Sequence, residues 1–259
     1  MNSIIIKNLN FSYNDNIIFS NFNLNVKRNK FTLVLGLNGT GKSTLCKILN
    51  GDKSYDGYIC IEKEILSKDN DYFSKILTLI DNNIILKQNT VIESLWCNYD
   101  SSFENFKDKL KEFGDYFQIK NLFYKQICEL KKNEQNLIYI LSKIISNPPL
   151  IMMDEPFPFL NKQEKLKVIS YLKSLKNITV LYFSSDIEDA LLADEINFIS
   201  NGQNKLTTSI HQISKHEKNI RKFGFSLPFS IDLSKKLSYY NLLDDEVTNI
   251  DEMVEILWK

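Results

Sequence analysis

The chain has little glycine and little proline, eight and five residues among 259, and is rich in asparagine, isoleucine and lysine, a bias read here as genomic. It has no net charge: 32 basic residues balance 32 acidic ones. A broad basic footprint for nucleic acid is therefore not supported, nor is charge-driven docking on an anionic membrane. No run of eighteen or more apolar residues exists, so no stretch reads as a membrane-spanning helix. The start, MNSIIIKNLNFSY, reads as a strand and lacks the charged-then-apolar layout of a signal peptide. Four cysteines, Cys46, Cys60, Cys97 and Cys128, form no C-x-x-C pair and are expected to be small core fillers in a reducing compartment. The two histidines, His211 and His216, stand five apart, a poor spacing for sharing a metal on one helix face. The length suits one α/β domain with an inserted or appended piece.

What is present begins with GLNGTGKST, Gly36–Thr44, which fits the phosphate-loop pattern G-x-x-x-x-G-K-[ST] in full. A buried-strand run, Phe31–Leu35, enters it, and a helical pattern with Leu45, Ile48 and Leu49 on one face leaves it. Gly36, Gly39 and Gly41 let successive backbone N–H groups of Leu37, Asn38, Thr40 and their neighbours turn inward as an anion nest at a helix N-terminus. Lys42 reaches the terminal phosphates in this reading, and the Ser43 hydroxyl ligates Mg²⁺.

Taken in order, the first strand ends at Phe11–Tyr13 and turns at Asn14–Asn16. In the next, Phe22, Leu24 and Val26 alternate with asparagines, the pattern of a half-exposed antiparallel strand. Tyr13 either stacks on a nucleotide base or simply packs in its strand. Gly57–Ile61 and Ile76–Ile80 read as further strands, residues 87–147 as mainly helical, and Leu150–Asp154, Ile178–Phe183 and Ile196–Ile199 as buried strands. Short apolar runs alternating with helices imply a parallel sheet covered on both faces. Between two of those runs, Leu166, Ile169, Leu172 and Leu175 form an expected core stripe. The stretch LIMMDEP, Leu150–Pro156, ends a buried strand in two acids, which is costly unless they meet a cation or substrate. Asp154 suits a contact to Mg²⁺, and Glu155 suits polarising the water that attacks a γ-phosphate.

With these residues in place, the chain resembles a nucleotide-binding subunit of an ABC-type transporter over nearly its whole length. Tyr13 falls at the A-loop position, Gly36–Thr44 at the phosphate loop and Leu150–Glu155 at the Walker B strand. The run SDIEDALLADEI, Ser185–Ile196, resembles the HD-x-x-EA-x-x-ADR run of energy-coupling factor (ECF) transporters. FGFSLPF, Phe223–Phe229, is similar to their G-L-x-L-P-F segment, and the end, DEMVEILWK, to their last helix. The resemblance implies the α/β P-loop NTPase fold of ABC ATPases: a mainly parallel sheet, an antiparallel β subdomain, an inserted α-helical subdomain at about 87–147 and a C-terminal helical extension. The cassette would cover 1–209, and 210–259 would serve subunit pairing. It further implies an ATPase using ATP and Mg²⁺ at the cytoplasmic face of the cell membrane, peripheral, bound to a membrane T component through Val91–Trp96. That assembly would power uptake of a vitamin or transition metal ion through an S component.

Four positions depart from the family pattern. The signature LSGGQ falls on LKKNE, Leu130–Glu134, where Lys131 stands for the serine and Lys132 and Asn133 for the glycines. The close backbone approach glycine permits is lost there. The lysines either supply mobile positive charge or form a solvated helix start, and the second reading is preferred. The switch histidine is replaced by Ser185, which cannot become cationic and which fits a capping box with Glu188. Asp81 stands where the Q-loop glutamine is expected, keeping a hard oxygen for Mg²⁺. Asn161 stands at the D-loop aspartate. An ABC pair binds each ATP between one subunit's phosphate loop and the other's signature. A homodimer would therefore combine both sets of defects in each site, and a heterodimer with a better-preserved ATPase subunit is expected. A soluble ABC-fold regulator or assembly ATPase with little turnover is the alternative, and nucleic-acid-associated ABC ATPases are disfavoured by the neutral charge.

Overall fold

The computed structural model describes residues 1–66, 76–99, 102–243 and 247–258. Parts of two expected elements, residues 100–101 of the helical stretch and 244–246 and 259 of the C-terminal piece, lie outside the described residues.

Strands β1 (Asn2–Tyr13) and β2 (Asn16–Lys27) form an antiparallel pair, with Asn14 at positive φ in the turn between them. Along β2, Phe22, Leu24 and Val26 are buried and the intervening asparagines exposed, the strict alternation of a sheet with one wet face. The chain then enters a second sheet as β3 (Phe31–Leu35), buried at all five positions, and leaves it through helix α1 (Lys42–Leu49). It returns to the first sheet as β4 (Asp56–Ile61) and the short β5 (Glu64–Ile65), giving the order β2-β1-β4-β5.

Strand β6 (Leu77–Asp81) rejoins the second sheet. Three helices follow, α2 (Val91–Trp96), α3 (Phe103–Phe117) and α4 (Lys132–Ile144), before β7 (Leu150–Asp154). Helix α5 (Lys162–Ser174), β8 (Thr179–Ser184), β9 (Glu195–Ser200) and β10 (Gln203–Thr208) complete the cassette. The sheet order is β10-β9-β3-β8-β7-β6, parallel throughout except where β10 returns beside β9. Alternate side chains feed two cores. Val34, Met152, Leu181 and Phe183 meet α1 and the antiparallel sheet, while Leu33, Ile151, Met153 and Tyr182 join the cluster that includes Ile138 and Ile140 of α4 and Ile169 of α5.

Register does the work for function. Leu35 pairs with Ser184, Phe183 with Asp154 and Asp154 with Asp81, so the carboxyl ends of β3, β8, β7 and β6 are level. Ligands of open α/β sheets bind at such an edge.

Some expectations shift. Of the expected stripe, Ile169 and Leu172 are buried and Leu175 packs against the core, but Leu166 is exposed, and Val168 and Tyr171 widen the buried face of α5. Only Cys46 and Cys60 are core fillers; Cys97 and Cys128 are exposed. Val91 and Leu95 of α2 are fully buried, whereas Trp96 is exposed beside Tyr99, Phe103 and Phe106. The helical subdomain is tied to the sheet layer at α5. Lys109 donates to the Tyr171 hydroxyl at 2.7 Å and to Glu112 at 2.9 Å, inside a box formed with Phe113 and Phe117.

After β10 come a 3₁₀ turn at Ile210–His216 and helices α6 (Glu217–Lys222), α7 (Phe229–Tyr239) and α8 (Ile250–Leu257). Ile213, Ile220, Phe225, Leu227 and Ile231 share the main core, with Phe223 and Phe225 against Phe198 of β9. Leu243, Val247 and Met253, with Leu233 and Leu237, form a small cluster of their own. Among the described residues, no helix is long and apolar enough to cross a membrane.

Behind the sheet edge lies a buried carboxylate. Asp189 accepts from the Tyr182 hydroxyl at 2.7 Å and from Ser184 Oγ at 2.6 Å, and it pairs with Lys165 of α5. Burial and this carboxylate push the Tyr182 phenol well above its ordinary value, so it stays a donor. Asp189→Ala strands both hydroxyls and the lysine and should cost about 2–4 kcal/mol. Urea denaturation of the two proteins measures the difference; a loss below ~0.5 kcal/mol would show that the cluster contributes no net stability.

Candidate nucleotide site

The loop Gly36–Thr44 lies between the end of β3 and α1. Gly41, at φ 100°, precedes the helix, and a Cβ there would stand 2.8 Å from the Phe19 ring and 2.9 Å from Ile18. Strand β2 thus presses on the loop from outside, and only glycine accepts both that contact and the left-handed backbone. At Gly36 a Cβ would meet Thr40 Oγ1 at 2.3 Å. Thr40 folds back instead, its backbone N–H and hydroxyl both donating to the Leu37 carbonyl, while Asn38 and Gly39 form the exposed tip. The first-turn N–H groups of α1, from Lys42 through Thr44, have no carbonyl above them and face whatever anion the loop encloses.

Lys42 is buried, and its amine donates to the carbonyls of Gly36 at 2.7 Å and Leu37 at 3.2 Å. Its third neighbour is Glu155 Oε1, 3.6 Å away. Glu155 follows β7 with φ 47°, an uncommon conformation for a side-chain-bearing residue, and its N–H donates to the Phe183 carbonyl. The same Oε1 accepts from Ser185 Oγ at 3.1 Å. So the residues expected at the phosphate loop, the catalytic glutamate and the switch position touch one another. One expectation about Ser185 is corrected: the cap of the following 3₁₀ helix, Ile187–Leu192, is Asp186, whose carboxylate accepts from Glu188 N–H. Ser185 is left free to face the site because the turn starts one residue later.

Asp154 sits between Ser43 and Asp81. Burial raises its carboxyl above the ordinary aspartate value, the hydrogen bond from Ser43 pulls it back, and the negative charges of Glu155 and Asp81 add to the rise. Burial, followed by the charges of Asp154 and Asp81, pushes the Cys46 thiol well up and keeps it neutral. Asp81 uses one oxygen, Oδ1, to accept from the Tyr139 hydroxyl at 2.9 Å and from Asn83 N–H at 3.2 Å.

Other positions lie outside this contact set. Tyr13 packs edge-on to Phe11 and carries Lys53 over its ring at 5.5 Å. Leu130–Glu134 forms a capped helix start: Glu134 accepts from Lys131 N–H, Asn133 donates to Glu164 at 2.9 Å and Lys132 lies over Phe159. Asn161 caps α5 by accepting from Glu164 N–H. The stretch thus joins the D-loop region of its own chain.

Sequence reasoning missed Tyr139, Lys53 and two links to the C-terminal piece. Gly224 lies against Leu37 of the loop, and Glu188 accepts from Phe229 N–H at 2.7 Å at the start of α7. The helical period of α4 puts Tyr139 on a buried face, which was the available signal; the links had none.

A phosphate loop at the edge of a parallel sheet, with an acid pair on the neighbouring strand and a separate helical subdomain, defines an ABC-type ATPase. Residues 19–158 match the family model described as "ABC transporter", and the chain belongs to that family: it is an ATPase subunit of a transporter. The energy-coupling factor transporter ATP-binding protein EcfA of Aster yellows witches'-broom phytoplasma is 27% identical over 99% of this chain and 98% of its own. EcfA1 of Ureaplasma parvum is also 27% identical, over 99% of this chain and 91% of its own. Among solved structures, cbiO1 of Clostridium perfringens, part of the ABC transporter complex cbiONQ, superposes with a TM-score of 0.73. It is 20% identical and covers 88% of this chain and 96% of its own, a likeness of fold.

A pH dependence follows from Asp154. Its folded-state value is raised, so the folded protein holds that proton more tightly than the unfolded chain does. The group's contribution is fully present below about pH 3.9 and is lost as pH rises through the raised value. Asp154→Asn should therefore raise the melting temperature of nucleotide-free protein at pH 7, with the gap closing toward pH 4. A melting temperature at pH 7 equal to or below wild type would contradict the charge assignment.

Proposed function

We propose that the chain is the ATP-binding A component of an ECF-type importer, working at the cytoplasmic face of the membrane with a second, better-preserved ATPase subunit. The observation that carries this reading is an asymmetry. The phosphate-side half is assembled, with Lys42, Ser43, Asp154, Glu155 and Ser185 in contact, whereas the half that would face a partner's ATP, Leu130–Glu134, is capped as an ordinary helix start.

In this reading Lys42 exchanges the Gly36 and Leu37 carbonyls for the β- and γ-phosphates, and the loop's N–H groups hold the remaining phosphate oxygens. Tyr13, with Lys53 beside it, offers a face to the base. The donor set beside Ser43 fits a hard cation: hydroxyl and carboxylate oxygens from Ser43, Asp154 and Asp81, in a half-buried acidic cluster that a cation relieves. Mg²⁺, when bound with the nucleotide, neutralises phosphate charge. Glu155, released from Lys42, orients and polarises the attacking water. Ser185 holds that glutamate by a neutral hydrogen bond and brings no cation toward the γ-phosphate, which supports slow turnover.

The C-terminal piece, 210–259, serves subunit pairing. Its support is an apolar surface on α8 and after α7: Ile250, Val254, Leu257 and Trp258 are exposed, as are Tyr239, Tyr240 and Leu242. Trp96 and the groove of about 360 Å³ between Asp81 and Lys143, lined by polar and apolar side chains alike, suit docking of a membrane T component, and an S component would choose the vitamin or metal ion.

Purified chain should bind ATP with Mg²⁺ and hydrolyse it slowly, with turnover rising roughly 10²-fold when an ATPase with intact signature and switch residues is added. Glu155→Gln should abolish the portion of turnover arising at this chain's phosphate loop. Importer-level turnover by the chain alone, lost in Glu155→Gln, would overturn the asymmetric assembly; failure to bind ATP would overturn the reading altogether.

A further inference from the structure

The contact between Tyr139 and Asp81 joins two parts of the molecule that the sequence treats separately. Asp81 ends β6 and is level with Asp154 on the adjacent parallel strand. Side chains at such paired positions leave a sheet on the same side. Tyr139 belongs to α4, about 10 Å along the helix from Lys132, and its ring is buried. Both hydrogen bonds to Asp81 fall on Oδ1, from Tyr139 at 2.9 Å and from Asn83 N–H at 3.2 Å; among the described residues, no donor reaches Oδ2. Helix α4 also holds the segment beyond Glu155. Asn136, fully buried, donates to the Pro156 carbonyl at 2.9 Å and accepts from Phe159 N–H at 3.4 Å.

We propose that Tyr139 is a positioning residue for the nucleotide site: its hydroxyl fixes Asp81 by one carboxylate oxygen and so presents the other to the cation that accompanies ATP. This rests on the reading that Asp81 and Asp154 face that cation. A free aspartate at a strand end samples more than one staggered rotamer. The phenol removes those alternatives with a neutral donor, which adds no charge to an already acidic cluster. It also makes the position of Asp81 depend on α4, the helix whose first turn lies at the signature position.

The experiment uses the full chain with Tyr139→Phe, Asp81→Asn and the double substitution. It measures ATP binding by calorimetry in EDTA and across a Mg²⁺ titration, with thermal unfolding of each variant. Tyr139→Phe is expected to leave binding in EDTA within twofold of wild type while raising the Mg²⁺ needed for half-maximal binding roughly 3- to 10-fold. Asp81→Asn, which keeps the tyrosine, should raise it at least as far, and the double substitution no further. An unchanged Mg²⁺ requirement in Tyr139→Phe, equal losses with and without Mg²⁺, or losses that multiply in the double substitution would each overturn the role of Tyr139. Wild-type binding that ignores Mg²⁺, or a Mg²⁺ requirement unmoved in Asp81→Asn, would instead overturn the cation-facing reading beneath it.

Discussion

The nucleotide site depends on one constraint, the register of four parallel strands. Parallel pairing with Leu35 opposite Ser184, Phe183 opposite Asp154 and Asp154 opposite Asp81 places the carboxyl ends of four strands at one level. Residues more than a hundred positions apart then share a space a few ångströms wide. A slip of one residue between β8 and β7, or between β7 and β6, would turn Asp154 or Asp81 to the opposite face. The fully buried runs Phe31–Leu35 and Leu150–Met153 resist that slip, because their alternate apolar side chains belong to different cores on the two sides of the sheet.

Charge at that edge is balanced only in part. Lys42 is buried against two carbonyls and one glutamate, while Asp154, Asp81 and Glu155 bring three carboxyl groups into the same region. Burial, with the charges of Glu155 and Asp81 beside it, raises the Asp154 carboxyl, while Ser43 and Lys42 oppose the rise. The positive φ of Glu155 belongs to the same arrangement, since it turns the carboxylate back over Lys42 instead of along the strand.

The helices around this edge make it conditional on other parts of the chain. Helix α4 reaches Asp81 through Tyr139 and the Pro156 segment through Asn136. The C-terminal piece reaches the loop at Leu37 and the switch segment at Glu188, and it shares the main core through Ile213, Ile220 and Phe225. A chain segment read as an appendage is thus packed against the site, while Phe229 and several other apolar residues of its last two helices stay exposed.

Local chemistry was legible in the residues themselves. A glycine-rich loop between an apolar strand and a helix, and an acid pair ending a second apolar strand, are short-range patterns whose backbone requirements are met within a few residues. The periodicities of β2, β3 and the sheet strands were legible for the same reason. Misreadings arose where two local solutions compete and a distant neighbour decides. Ser185 and Asp186 both cap helices well, and Glu155 drew the serine away; Leu166 fits a three-residue stripe, but α5 meets the sheet along Val168, Ile169, Tyr171 and Leu172. Cys97 and Cys128 carry nothing in their neighbours to mark them as exposed. The sequence by itself therefore determined the class of chemistry, through residue types at short fixed spacings. Only the tertiary structure decided which side chains hold one another, because the contacts of Tyr139 with Asp81, Ser185 with Glu155 and Gly224 with Leu37 are set by sheet register and helix packing across the whole chain.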